Sequence, residues 1–185
     1  MIDSGEVLKF WFEEAGPARW FAQSDSFDAL IRARFEDAAM DCAAALMGNR
    51  PHAWEAEPDS ALALIIMLDQ FPRNMYRGTK AMFAWDALAL GAAGRAIGAG
   101  HDYKTAQGRR VFIYLPYMHS ENISDQNLSV EYVDGRINSE AGLHHAKQHR
   151  RMIERFGRFC HRNEVLGRKS TPEEIAYLKG GNYRL

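Results

Sequence analysis

Eight consecutive apolar residues, Ala61-Leu62-Ala63-Leu64-Ile65-Ile66-Met67-Leu68, run directly into Asp69-Gln70-Phe71-Pro72. A segment apolar on every side has no face to offer water, so other elements must surround it. Its leucine and alanine content favours helix over strand, and it is far too short to cross a bilayer. The pattern predicts a central buried helix over residues 61–71 that Pro72 ends. A carboxylate at the end of such a run needs hydrogen-bond donors. Arg73 is close in sequence, but Pro72 is expected to turn it away. The expected partners of Asp69 are therefore Arg158 or Arg162.

The rest of the chain reads as helices that could build that surround. Asp3 with Glu6 three residues later has the form of a capping box, and Val7, Leu8, Trp11 and Phe12 form a stripe that Gly16-Pro17 terminates. Phe27, Leu30, Ile31, Phe35, Ala38, Cys42 and Leu46 repeat at helical spacing up to Met47, and Pro51 to Ser60 reads as a loop. Further helices are expected over about 80–97, 124–137 and 139–156. Residues 109–115 fit helix or strand and are stopped by Pro116. Thr171-Pro172-Glu173-Glu174 opens a last helix with a capping box. No strand or hairpin signal and no fixed repeat is visible. The fold expected is all-α: a single domain over residues 1–185.

Charge excludes some functions. The formal net charge of −1 hides five basic against thirteen acidic side chains in residues 1–70. Residues 144–169 carry eight basic against two acidic. A nucleic-acid binder presents a basic face on a basic domain, so no nucleic-acid partner is expected. Two cysteines, Cys42 and Cys160, without a CxxC pair suit a reducing compartment. With no visible signal peptide and no spanning segment, the expected location is cytoplasmic and no membrane partner is foreseen.

Four polar stretches interrupt apolar surroundings. They are Asp69-Gln70-Phe71-Pro72-Arg73-Asn74, Tyr114 to Glu121, Phe156 to Asn163, and Leu166 to Ser170. Together with Val7 to Phe12, Trp54 and His149 they resemble the bacterial family catalogued as domain of unknown function 924, over nearly the whole chain. The resemblance implies an all-α fold of about seven to nine helices in a tetratricopeptide-like α-α superhelix, with no agreed activity. The family pattern has proline where this chain has Cys160.

Each stretch has a structural and a functional reading. Asp69 either holds helices together or orients a site arginine and acts as a base. His119, Glu121 and His161, with Asp69, are the candidate acid–base groups, histidine being the side chain that titrates near neutral pH. Arg73, Asn74, His149, Arg158, Arg162, Asn163 and Arg168 are the candidate ligand-binding residues. The arginines either clamp a carboxylate or phosphate, through paired planar donors, or pair with Asp69, Glu121 or Glu173. His145 and His149 share a helix face at metal-ligand spacing, yet no third ligand accompanies them, so no metal and no cofactor is expected. Two functions fit these groups: a small-molecule site for an anionic ligand, carrying acid–base hydrolytic chemistry, or a helical scaffold that takes a peptide or protein partner in a concave groove. The sequence leaves open whether the chain is an enzyme, and what its oligomeric state is.

Overall fold

The computed structural model describes residues 2–48 and 51–180, and no strand occurs among them. Asp3 caps α1 (Ser4–Lys9) by accepting from the Glu6 amide at 2.9 Å, and Glu6 accepts from the Asp3 amide at 3.0 Å. The helix then widens into a π-helical segment, Phe10–Ala15, that ends at Gly16. The widened turn leaves the Trp11 carbonyl to accept from the Gly16 amide and from the Trp20 indole, at 3.1 and 2.7 Å. That pins α2 (Pro17–Trp20) beneath it. Ser24 caps the long α3 (Asp25–Met47).

A 3-10 turn at Ala53–Ala56 precedes α4 (Pro58–Asp69), in which every residue from Ala61 to Asp69 is buried. Helices α1, α3, α6 (Asp86–Gly98) and α7 (His101–Lys104) pack against α4. Burying each large aliphatic side chain there contributes ~1.5–3 kcal/mol, which fixes this helix as the centre of its unit. Pro72 does not end the chain's helical path. It occupies the first turn of a new short helix, α5 (Phe71–Met75), where its missing N–H costs nothing.

Pro116 likewise fails to stop α8 (Gln107–His119) and lies inside it, so the segment that could have been strand is helix. Helix α9 (Ile123–Arg136) comes next, then α10 (Glu140–Phe156), capped by Ser139 and ended by Gly157. Gly157 adopts φ +68°, a left-handed conformation that glycine reaches without steric cost. A 3-10 turn at Cys160–Arg162 and α11 (Pro172–Lys179) complete the described chain, the latter with the expected capping box on Thr171 and Glu174. Eleven α-helices are thus present among the described residues, against seven to nine expected. The excess comes from short helices of four to six residues that leave little periodic signal. The chain divides into two compact units at the Pro116–Tyr117 bond.

Candidate functional site

The second unit gathers six of the candidate residues around one aromatic ring. Gly157 turns the chain out of α10 and delivers Phe159, fully buried, between polar groups. The Arg162 guanidinium lies 4.5 Å from the Phe159 ring centre. The rings of His149 and His161 each stand 5.5 Å from it. His119, at the end of α8, lies 6.5 Å from His149 ring to ring, and its carbonyl accepts from Arg162 Nη2 at 3.0 Å.

Glu121 and Arg168 hold this ring's backbone. Both Glu121 oxygens accept from Arg168, at 2.7 and 2.9 Å, and Oε1 also accepts from the Phe159 amide at 2.8 Å. Arg168 Nη2 donates in turn to the Phe159 carbonyl at 3.0 Å. Burial opposes ionisation of Glu121, but the Arg168 and Phe159 donors and the charges on Arg168 and Arg162 outweigh it and hold the carboxyl below its usual range. Glu121 is therefore a carboxylate with both oxygens engaged, a positioning group rather than a proton donor. Glu121→Gln is expected to lower unfolding free energy by about 2 kcal/mol, less than for a fully buried pair because both side chains are about a quarter exposed. Urea unfolding measures it, and a loss below about 0.5 kcal/mol contradicts the bracing role.

Two of the imidazoles are kept uncharged. Burial pushes His149 down to about 3, and the Arg162 guanidinium pushes it the same way. His161 falls to about 4, again chiefly through burial, with Arg162 and Arg168 adding to the effect. His149 Nδ1 lies 2.9 Å from the His145 carbonyl. A carbonyl only accepts, so Nδ1 carries the hydrogen and Nε2 presents a lone pair.

The other candidates are committed elsewhere. Arg158 donates to both oxygens of Glu174, at 2.7 and 2.9 Å, and to the Lys169 carbonyl. The sequence points to Glu174 as a cap and to Glu173 as the arginine partner; Glu174 does both, and Glu173 takes Arg155 instead. Glu174 also accepts from Asn163, and its donors together bring the carboxyl down to about 2. Asn163 donates to Ser170 as well.

In the first unit, Asp69 is 1% exposed and has the Gln70 amide and Arg73 as partners. Because Pro72 opens α5 instead of diverting the chain, Arg73 does reach Asp69, with Nη2 at 3.4 Å, and donates to Asp86 at 2.9 Å. Asn74 donates to Asp28 at 2.7 Å, sharing that carboxylate with Arg77.

Among the described residues, no three His, Cys, Asp or Glu side chains are grouped so as to hold a metal ion. No helix among them is long and apolar enough to cross a membrane.

A family model described as bacterial protein of unknown function (DUF924) matches residues 7–182. The chain belongs to that family. A solved structure of a protein of unknown function from Agrobacterium tumefaciens is similar to this DUF924 protein at 43% identity and a TM-score of 0.88. The match covers 96% of this chain and 97% of that one. Among curated proteins, nothing matches.

Two positioning features of the DUF924 protein escape sequence reasoning. Gln126, fully buried in α9, donates through Nε2 to the carbonyls of Tyr117, Met118 and Ser120 at 3.3, 2.7 and 2.7 Å. It satisfies the orphan end of α8 and so fixes the helix terminus that carries His119. A glutamine one turn inside a helix, on the buried face with Ser129 and Val133, is the available signal. The second feature is the packing of Cys160. That cysteine is 1% exposed and its sulfur lies 3.8 Å from that of Met152, so it packs as a small apolar group.

Proposed function

We propose that His119, His149, His161 and Arg162 form a site for a small anionic molecule, one bearing a phosphate or carboxylate. The observation that supports this is the gathering of three imidazoles and a guanidinium about Phe159, two of the imidazoles being held neutral by burial. Packing alone would favour apolar groups there, because desolvated ionisable side chains cost stability unless they are used. Arg162 supplies the paired planar donors that recognise an oxyanion. Burial is the main cause of the depression of His149, and an arriving anion would offset the smaller effect of the Arg162 charge, raising its affinity for a proton. His149 Nε2 would then accept the proton of a water at an ester of the anion; the water oxygen would bond to the carbonyl carbon or phosphorus, the ester C–O or P–O bond would break, and the imidazolium would return the proton to the departing alkoxide. Such a step is chemistry this DUF924 protein could perform as a small hydrolase.

The expected result is a rise in melting temperature with phosphate, sulfate or small dicarboxylates at constant ionic strength. A ligand at a hundred times its Kd adds ~2.7 kcal/mol to native stability. Arg162→Met should abolish the rise, while Arg155→Met, remote from the cluster and paired with Glu173, should keep it. Histidine NMR signals of the parent protein give an independent readout, with His149 and His161 shifting on titration. If none of these anions shifts either observable, the reading fails.

The scaffold reading has separate support in the first unit. Helix α3 carries exposed apolar side chains along much of its length.

A further inference from the structure

The solvent face of α3 repeats at intervals of three and four residues: Leu30, Ala33, Asp37, Met40, Ala44 and Met47. All six are exposed, Met40 and Met47 at 52% and 61%. The opposite face, Ile31, Phe35, Ala39, Cys42 and Leu46, is the buried one. A helix that already has a core face rarely carries a second apolar stripe in water, and contiguous exposed apolar surface marks an interaction site. Alternation of three and four is the spacing at which one helix presents a seam to another. The stripe from Leu30 to Met47 runs ~26 Å at 1.5 Å per residue.

Charge selects the occupant. Arg32 is paired with Glu36, Arg34 with Glu14, and Asp28 with Arg77. Asp37, in the seam, and Asp41, on its flank, have no ion-pair partner among the described residues. A second copy of the chain laid on this seam would bring two Asp37 carboxylates within about one helical turn of each other, in either orientation, and like charges so placed are destabilising. An apolar seam with uncompensated carboxylates fits a cationic counterpart.

We propose that the exposed face of α3 docks an amphipathic helix of a partner protein, with apolar anchors at seam spacing flanked by lysine or arginine. This surface lies in the first unit and does not depend on the anion site of the second.

The test uses the full chain and two labelled 18-residue helical peptides with the same leucine seam, one flanked by lysine and one by glutamate. Fluorescence anisotropy is expected to show the lysine peptide binding at least about tenfold more tightly, a difference of ~1.4 kcal/mol. Met40→Asp should weaken it by a similar factor, and Asp37→Lys with Asp41→Lys should shift the preference towards the glutamate peptide. These positions are exposed, and circular dichroism checks that each variant keeps its helix. Equal binding of both peptides, no binding of the lysine peptide, or indifference to Met40→Asp overturns the proposal. So does a self-dimer in sedimentation that Met40→Asp abolishes, which would assign the stripe to a second copy.

Discussion

Acidification from pH 7 to pH 4 is expected to remove several kcal/mol of stability from this protein, shared almost equally by His149 and His161. In the unfolded chain an imidazole takes up its proton near pH 6.5, whereas His149 and His161 do so in the fold only at about 3 and about 4. Between those values the unfolded state binds more protons. Stability is therefore full above 6.5 and falls as pH drops, by up to ~1.4 kcal/mol per pH unit for each histidine. It levels off for each group once pH passes below its folded value. His149 alone is worth roughly 3 kcal/mol by pH 4. Glu174 adds a later phase of related origin. Its lowered folded value, about 2, means that its contribution is full above the usual carboxyl range and is lost as pH falls towards 2. Urea unfolding from pH 7.5 to 4.5 measures the first phase, and His149→Gln should reduce its slope by about one proton. A stability that stays flat across that range would mean the imidazoles take up protons in the fold as readily as in the unfolded chain, and the neutral cluster would be wrong.

Asp69→Asn is expected to cost about 3 kcal/mol, because breaking a buried pair leaves the remaining charge uncompensated. The figure sits at the lower end of the range for such pairs because Arg73 keeps Asp86 at 2.9 Å. Adding Arg73→Met to Asp69→Asn should restore ~1 kcal/mol relative to the sum of the single changes, the mark of direct coupling. A double-mutant cycle by urea unfolding decides it. An Asp69→Asn protein within about 0.5 kcal/mol of the parent would show that the carboxylate is dispensable to the fold.

Both predictions start from residues that stand out in the sequence, yet their partners do not. The eight apolar residues before Asp69 announce a buried element, and their leucine and alanine content favours a helix over a buried strand. The segment after Asp69 is locally ambiguous. Proline ends one helix and opens another with the same chemistry, and only the packing of Phe71 and Met75 decides that α5 begins there. The same applies to Pro116, which sequence reasoning takes as a stop and the structure keeps within α8. The caps on α1 and α11 were legible because their donors and acceptors lie three residues apart. Glu121 with Arg168, or Arg158 with Glu174, joins residues 47 and 16 positions apart. A basic stretch shows only that carboxylates will be wanted, not which ones. The histidines were legible as a group, but their neutrality arises from burial, which no spacing encodes.

The Glu121 brace has a kinetic consequence. It grips one residue from both sides, the Phe159 amide through Glu121 and the Phe159 carbonyl through Arg168, and so closes a loop of 38 residues that contains α9 and α10. Closing a loop of that length carries an entropic cost that is recovered only after the two helices have paired. The brace therefore behaves as a late latch. Interactions made after the transition state slow unfolding without hastening folding. Weakening the latch would shorten the lifetime of the native histidine cluster while leaving the speed of its assembly almost untouched.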